Sequence, residues 1–243
     1  MNAPHPVNNA ADREVFYKKI DGASMTPLWE VLHGIVTPTP QTQAAPHVWK
    51  WEKSYPWLLE AGGLISAMEA ERRVLVLENP ALRNKTRITN SLYAGLQLIL
   101  PGEVAPAHRH SQSALRFILH GSGAYTAVQG EKVTMNVGDF VITPSWTFHD
   151  HGNPSDEPMV WLDGLDLAIV ELFDAQFMEK GDDFSQETHV EAGTNLAEFG
   201  NTMKPVEYKA RSKTSPLFWY PYDRTREALE TMRRFGEPNE CWG

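Results

Sequence analysis

The chain has 243 residues, of which 42% are hydrophobic and 22% are charged, as is typical of a soluble globular protein with one large or two small domains. A net charge of −9 argues against a nucleic acid partner, because phosphate binding needs a basic face. The single cysteine, Cys241, excludes an internal disulfide framework, and no apolar run is long enough to cross a bilayer. We therefore expect a cytoplasmic protein with no membrane partner.

Residues 1–71 have the pattern of a helical and irregular arm. The polar start, Met1 to Ala11, is expected to be a loose tail, and Asp12 to Lys19 is expected to form a short helix. Prolines interrupt the chain at Thr37-Pro-Thr-Pro40. Apolar residues then recur at helical spacing from Tyr55 to Ala70, which predicts a second helix.

Residues 72–175 change to short β segments that alternate with turn signals. The predicted strands are Arg73 to Glu78, Ile88 to Leu100, Ala114 to Leu119, Ala124 to Val128, Lys132 to Met135, Phe140 to Ile142, Phe148 to Gly152 and Met159 to Val170. Many short strands separated by Gly, Asn, Asp and Pro predict a mainly β fold, an antiparallel barrel or jelly roll.

Residues 176–243 are expected to be a linker that ends in a helix. Gly181 to Lys213 is polar, and Ser215 to Tyr222 is an aromatic cluster that is more typical of docking than of catalysis. Asp223 to Phe235 is predicted to be a helix, with Asp223 as its cap and arginines in its last turn.

Three histidines lie within two short motifs. The first motif runs Gly102-Glu-Val-Ala-Pro-Ala-His108-Arg-His110 and on to Gly121, and the second runs from Gly138 through Pro144 and His149 to Asn153. A His-x-His pair on a strand points both rings to one face, because side chains alternate with a period of two. With a third imidazole from another strand, the pair predicts a three-nitrogen site for a transition metal that leaves positions open for a substrate.

The two motifs resemble those of the cupin superfamily. The match includes both histidine spacings, Pro144 and Asn153, whereas the usual glutamate of the first motif falls at Ala114 or Leu115 and the usual glycine after the proline is Trp146. The resemblance implies a cupin barrel, a double-stranded β-helix, with the metal bound by His108, His110 and His149.

These departures, together with the run from His108 to Phe117, resemble the gentisate 1,2-dioxygenase group, which includes salicylate and 1-hydroxy-2-naphthoate dioxygenases. The resemblance covers roughly residues 25 to 243 and implies Fe(II), a small aromatic hydroxy acid and O2 as reactants. Gentisate would give maleylpyruvate. Salicylate or 1-hydroxy-2-naphthoate as substrate, a Mn or Zn cupin with another chemistry, and a non-catalytic small-molecule-binding cupin stay open as alternatives.

Strand parity gives the candidate residues around the metal. If the His-x-His pair faces inward, Gln112, Ala114 and Arg116 do so too, and His151 follows His149. Tyr93, Gly95 and Gln97 share one face of their strand, as do Trp161 and Asp163 of theirs. The resemblance implies that the bound acid is surrounded by Arg72, Tyr93, Gly95, Gln97, Arg116, His151, Trp161 and Asp163.

Roles for these residues follow from their chemistry. Arg116 could hold a carboxylate through a bidentate pair, and His151 with Asp163 could handle a proton. Glycine at 95 is expected to leave space for the ring, with Tyr93 near its 5-substituent. Each has a structural alternative, such as an Arg116 to Asp163 ion pair or Tyr93 and Trp161 as core. The remaining histidines lack partner spacing and are expected not to be ligands, namely His5, His33, His47, His120 and His189.

The resemblance also implies a two-barrel protein that assembles as a tetramer. The chain ends where a second barrel is expected to begin, so a truncated gene, an inactive fragment and a functional single-barrel enzyme are all compatible with the sequence. A homo-oligomer is the expected assembly, and loss of a covering barrel would expose apolar surface.

Overall fold

The structure is a computed structural model that describes residues 10–200 and 217–236. The chain forms two compact units, residues 1–42 and 43–243. The first unit contains α1 (Ala10–Asp21) and α2 (Leu28–Ile35). The helix predicted from Asp12 is present, whereas the predicted tail lies outside the described residues apart from its last two, which begin α1.

Polar contacts join the two helices of the first unit. The Trp29 indole N–H donates to the Tyr17 hydroxyl at 2.8 Å, and that hydroxyl donates to Glu30 Oε1 at 2.5 Å. Hydrogen bonds of this kind help to hold together two short helices that bury little apolar surface.

The second unit begins with two helices where the sequence predicted one. α3 (Trp51–Leu64) and α4 (Ala67–Ala70) are separated by two extended residues. The break has a local cause, because the Ser66 hydroxyl accepts a hydrogen bond from the Glu69 N–H at 3.1 Å and caps a new helix.

The described residues form eleven strands, and the neighbouring strands pair in antiparallel fashion. They are β1 (Val74–Val76), β2 (Tyr93–Ile99), β3 (Val104–His110), β4 (Ala114–His120), β5 (Tyr125–Val128), β6 (Glu131–Thr134), β7 (Phe140–Thr143), β8 (His149–Gly152), β9 (Met159–Leu165), β10 (Met178–Lys180) and β11 (Trp219–Tyr220). One sheet has the order β1-β2-β9-β4-β7-β11 and the other the order β10-β3-β8-β5-β6. The mainly β, two-sheet fold predicted from the sequence is confirmed.

Two strand boundaries differ from the predictions by several residues. The strand predicted from Ile88 begins only at Tyr93, because Ile88 and Thr89 form a turn in which their N–H groups donate to the Leu92 carbonyl. The strand predicted to reach Val170 ends at Leu165, and the chain continues as α5 (Leu167–Leu172).

The segment predicted to be a linker adds strands to both sheets. β10 pairs with β3, and β11 pairs with β7, so residues 72–175 do not contain the whole barrel. A further helix, α6 (Thr194–Phe199), begins where the buried carboxylate of Glu131 accepts backbone N–H groups at 2.8 and 3.1 Å. The rest of the predicted polar linker, residues 201–213, lies outside the described residues.

The predicted C-terminal helix is confirmed as α7 (Tyr222–Phe235). Its N-cap is Pro221 rather than Asp223, which lies in the first turn. The carboxylate of Asp139, at the start of β7, accepts the Tyr222 N–H at 2.8 Å and the Trp219 indole N–H at 3.2 Å. This part of the aromatic cluster therefore docks on the barrel, as expected, while residues 215 and 216 lie outside the described residues.

Two apolar clusters hold the second unit together. The larger one fills the space between the sheets and includes Trp161, Met135 and Phe218. The smaller one lies on the other face of β2 and β9, where Leu58 of α3 packs, fully buried, against Leu98. α3 thus covers the outer face of β2, which explains why this strand is buried on both faces.

Within the described residues, every helix is too short or too polar to span a membrane.

Candidate metal centre and cavity

The three histidines predicted to bind a metal converge. His108 and His110 lie on β3, and His149 lies opposite them on β8. One potential ligand nitrogen from each ring lies within 4.8 Å of the others. The ring centroids of His108 and His149 are 4.2 Å apart, and those of His110 and His149 are 4.9 Å apart.

A bulge in β3 is needed for this convergence. Ala105 pairs with His151 and His108 pairs with His149, so three steps on β3 match two on β8. The extra residue comes at Pro106 and Ala107, and proline cannot donate a ladder hydrogen bond. The bulge allows the core residue Ala105 and the ligand His108, an odd number of residues apart, to face the same interior.

Backbone carbonyls fix the tautomer of two of the imidazoles. Nδ1 of His110 and Nδ1 of His149 donate to the carbonyls of Gln112 and Thr147 at 2.8 and 2.9 Å. A carbonyl only accepts, so Nδ1 carries the proton in these two rings and Nε2 keeps its lone pair. His108 Nδ1 contacts two groups of opposite character, the Pro106 carbonyl at 3.2 Å and the Arg72 guanidinium, which only donates. The Nε2 of His149 is buried without any hydrogen-bond partner, which fits a metal ligand.

Burial and nearby positive charges keep these three rings neutral. Burial, followed by the positive charge of Arg72, lowers the pKa of His108 to about 3. Burial likewise lowers the pKa of His110, and it lowers that of His149 well below the usual value. Neutral imidazoles at neutral pH are the form that binds a divalent transition metal, so the donor set fits such an ion.

The acid-binding candidates form a row across three neighbouring strands beside the histidines. On β9, Asp163 pairs with Gly95 of β2 on one side and with Arg116 of β4 on the other. In the next row, Trp161 pairs with Gln97. The shared face predicted from strand parity is therefore present, whereas the roles of these residues stay predictions.

Arg116 and Asp163 form a buried ion pair. The guanidinium Nε lies 3.5 Å from Asp163 Oδ1 without hydrogen-bond geometry, and Nη1 donates to the Thr143 hydroxyl at 2.6 Å. The Trp161 indole N–H donates to Asp163 at 3.1 Å. Burial raises the pKa of Asp163 to about 6 despite the opposing charge of Arg116. Arg116 therefore forms the ion pair with Asp163 that was its structural alternative. Its Nε–H has no hydrogen-bond acceptor and could still donate to a bound molecule.

His151 and Arg72 approach the metal ligands from two sides. Both ring nitrogens of His151 are buried without a partner, and its ring centroid lies 5.6 Å from that of His149 and 5.5 Å from that of Trp161. The Arg72 guanidinium donates to the Pro106 carbonyl at 2.6 Å and contacts His108 Nδ1. Burial, and then the charge of Arg116, lowers the pKa of Arg72 to about 10.

Gly95 differs from its expected role. A Cβ at this position would lie 2.4 Å from Val74 Cγ1 and 2.8 Å from the Tyr93 hydroxyl. The space expected to receive a substrate ring is therefore filled by protein atoms, because both side chains reach across the glycine. Burial, with the nearby Asp163, raises the pKa of Tyr93, so its hydroxyl stays protonated.

A cavity of about 710 Å³ opens onto the histidines. Arg72, His108, His110 and Gln112 line its inner end, whereas the other predicted acid-binding residues are not among its lining residues. Apolar side chains of α5 and of the segment around β10 form its walls, and the Lys180 to Glu71 ion pair, 2.7 Å long, lies at its rim.

Three residues that line this cavity were not predicted from the sequence to be part of the site. Phe177, Met178 and Phe184 lie in the segment that was predicted to begin a linker. A strand of three exposed residues has no periodic signal of its own, so only its pairing with β3 reveals it.

The fold and the site define the class of the protein. Residues 95–165 match the family model described as a cupin domain, and the three converging imidazoles form a group that could hold a metal ion. The chain belongs, more narrowly, to the gentisate 1,2-dioxygenase family. It is 56% identical over 232 residues to gentisate 1,2-dioxygenase 1 of Aquipseudomonas alcaligenes, covering 96% of this chain and 67% of that protein.

Two other similarities support this membership. The chain is 38% identical to a gentisate 1,2-dioxygenase of Streptomyces, covering 88% of this chain and 60% of the relative. A crystal structure of salicylate 1,2-dioxygenase from Pseudoaminobacter salicylatoxidans with gentisate matches with a TM-score of 0.85 and 33% identity, covering 97% of this chain and 66% of that one. The chain thus spans between 60% and 67% of the length of these two curated relatives.

Proposed function

We propose that the chain is an Fe(II)-dependent dioxygenase that cleaves the ring of gentisate with O2 to give maleylpyruvate. The observation that carries the proposal is the convergence of three neutral imidazoles, two of which line a cavity of about 710 Å³ together with Arg72. In the reaction, the bond between the carboxyl-bearing carbon and the neighbouring hydroxyl-bearing carbon breaks. Both atoms of O2 enter the product, so no outside electron donor is needed.

His108, His110 and His149 are the residues that would hold the iron. When bound, Fe(II) supplies the Lewis acidity and the one-electron chemistry that O2 activation requires. Three neutral ligands leave the ion its full positive charge, which suits an acid that brings two anionic oxygens. Membership of the gentisate 1,2-dioxygenase family supports this choice of metal and acid.

The protein's own groups would bind the acid and manage its protons. Arg116, buried and rigidly held by Thr143, orients the carboxylate, and Arg72 adds positive charge at the inner end of the cavity. His151 has no competing partner for either nitrogen and could accept a phenolic proton, with Asp163 as the neighbouring carboxylate. Gln97, Tyr93 and Trp161 shape the region beside the histidines, whereas Gly95 is covered by the side chains of Val74 and Tyr93.

The test is O2 uptake by protein loaded anaerobically with Fe(II), Mn(II) or Zn(II) in parallel. We expect uptake with gentisate only in the iron form, with one O2 consumed per ring cleaved and maleylpyruvate identified by mass. Uptake with salicylate or 1-hydroxy-2-naphthoate alone would assign another acid. Binding of an acid without uptake in any metal form would favour a non-catalytic cupin and overturn the proposal.

Self-association and location in the cytoplasm also stay predictions. α7 presents exposed apolar residues, Leu229, Met232 and Phe235, as a self-associating surface often does. Size-exclusion chromatography with light scattering checks the expected homo-oligomer, and a monomer at all protein concentrations would contradict it.

A further inference from the structure

One wall of the cavity is a short segment, residues 176–184, which we call the β10 wall. Within it, Met178, Glu179 and Lys180 pair with the strand that carries the His-x-His pair. β10 is the edge strand of its sheet, and all three of its residues are exposed. The position of this wall relative to the histidines therefore sets the width of the cavity.

The backbone holds the β10 wall at both ends. The Ser111 N–H donates to the Phe177 carbonyl at 3.0 Å, and the Phe177 N–H donates to the Ser111 hydroxyl at 3.1 Å. At the other end, the Gly181 N–H donates to the Ala107 carbonyl at 2.8 Å, and the Ala107 N–H donates to the Phe184 carbonyl at 2.9 Å. Between these ends, only the three-residue pairing with β3 holds the exposed edge strand, and a segment of this kind opens locally more easily than a central strand.

Side-chain contacts from outside the wall add to this attachment. The Trp146 ring lies 4.4 Å from the Phe177 ring, and the Arg109 guanidinium lies 4.5 Å from the Trp146 ring centroid. Arg109 also lies 4.5 Å from the Phe148 ring and forms an ion pair with Glu179 of β10 at 2.7 Å. Trp146 thus contacts the wall directly through Phe177 and indirectly through Arg109 and Glu179.

The backbone of Trp146 makes this residue unusual. Its φ is 59°, in the left-handed region that glycine adopts far more readily than tryptophan, and the general cupin motif has glycine at this position. The Trp146 N–H donates to the His110 carbonyl at 2.8 Å, a bond that glycine would keep. The indole is therefore not needed for the turn, whereas its contacts all lead to the wall.

We infer that Trp146 is a positioning residue that holds the β10 wall against β3 and so sets the affinity for the aromatic acid. Trp146 does not line the cavity and acts through Phe177, which does. The expected effect of Trp146 on KM rests on the proposed function. The expected effect of Trp146 on the position of the wall does not depend on any activity.

The test compares Trp146→Gly with Trp146→Phe. Glycine relieves the backbone strain but removes the contacts, whereas phenylalanine keeps a ring on Phe177 and under Arg109. In hydrogen–deuterium exchange, we expect Trp146→Gly to speed amide exchange in peptides covering residues 176–184 by about tenfold, with peptides of β4 unchanged. Trp146→Phe should remain within about twofold of the wild type. The exposed Trp57 of α3 gives a matched control as Trp57→Ala.

Measurements of KM and kcat distinguish a role of Trp146 in positioning the wall from a role in stabilising the whole fold. We expect Trp146→Gly to raise KM for gentisate about fivefold to tenfold while kcat and bound metal per chain stay within about twofold of the wild type. Unchanged exchange in the wall, faster exchange throughout the barrel, or loss of metal with a parallel fall in kcat would each overturn the inference. So would the same rise in KM in Trp57→Ala.

Failure of the proposed function has a different signature. If the wild type consumes no O2 with any of the acids, the function is wrong, and KM cannot be measured. The exchange comparison still decides whether Trp146 holds the wall, because it uses the protein without substrate.

Discussion

At the residue scale, the protonation state of the three imidazoles suits a metal. The Nδ1–H groups of His110 and His149 each donate to a backbone carbonyl two residues away, so local chain geometry fixes the tautomer of these two rings. Burial keeps the rings neutral, which means that protons compete weakly with the ion at neutral pH.

His108→Ala should remove the metal and turnover together. Losing one of three ligands leaves two imidazoles, too few to retain a divalent ion through gel filtration, so we expect bound metal below about a tenth of the wild-type amount. Elemental analysis after loading gives the measurement. His33→Ala on exposed α2 is the control and should bind metal as the wild type does. Wild-type metal content in His108→Ala would remove this residue from the ligand set.

Asp163 gives a prediction for pH dependence. Because burial raises its pKa to about 6, the carboxyl is protonated and neutral below that pH and charged above it. Only the charged form pairs with Arg116 and accepts a proton. We expect kcat/KM to fall as the pH drops through about 6, and the residual activity of Asp163→Asn to show no such limb. If Asp163→Asn lost activity over the same acidic pH range as the wild type, the titrating group would be one other than Asp163.

Arg116→Met should weaken acid binding without releasing the metal. Methionine replaces the buried arginine with an uncharged chain of similar reach, so the carboxylate loses its charge-assisted partner, and we expect KM to rise by about 30-fold to 100-fold. The left-over Asp163 becomes protonated more easily because its cationic neighbour is gone. Steady-state O2 uptake with parallel metal analysis measures both effects. An unchanged KM would exclude Arg116 from the acid site.

At the scale of elements, strand periodicity predicts most of the site but not the bulge or the edge strand. Parity correctly groups Gln97 with Gly95 and Trp161 with Asp163, because β2 and β9 are regular over seven residues. It does not predict that Ala105 and His108 face the same interior, since the shift at Pro106 depends on pairing with β8. β10 is likewise defined by its partner rather than by its own sequence.

The turn before β3 depends on one buried ion pair. The Arg73 guanidinium, 4% exposed, donates to both oxygens of Glu103 at 2.7 and 2.8 Å and to the Ile65 carbonyl at 2.8 and 3.0 Å. Glu103 also accepts the Leu100 N–H at 2.7 Å. This pair connects the end of the helical region to the loop that leads into the metal-binding strand.

Glu103→Ala should therefore lower the free energy of unfolding by about 3 kcal/mol, because it leaves a buried guanidinium without its carboxylate. Urea unfolding followed by tryptophan fluorescence measures the change. Glu230→Ala breaks an exposed pair with Arg233 on α7 and should cost less than about 0.5 kcal/mol. Equal effects of the two substitutions would show that burial of the Arg73 pair adds nothing to stability.

At the scale of the whole molecule, the two sheets of the barrel carry different parts of the candidate site. All three candidate ligands lie on the sheet that contains β3 and β8, whereas the row of candidate acid-binding residues lies on β2, β9 and β4 of the other sheet. The apolar core between the sheets, which includes Trp161 beside His151, keeps the two halves of the site in register. Sequence composition alone predicts such a core but not which sheet carries each half.

Metal binding should raise the stability of the whole barrel, because the ion binds the folded chain and the ligand cluster does not exist in the unfolded one. At a free metal concentration about 100-fold above Kd, the expected gain is about 2.7 kcal/mol, which corresponds to a rise in Tm of about 5 to 10 °C for a chain of this size. Differential scanning calorimetry of chelator-treated and metal-loaded protein measures it. His149→Ala should show no rise in Tm on adding metal, measured against its own metal-free form, whose Tm is lower than that of the metal-free wild type because the substitution removes a buried ring and its hydrogen bond to the Thr147 carbonyl. A Tm that metal raises equally in His149→Ala would place the bound ion elsewhere on the protein.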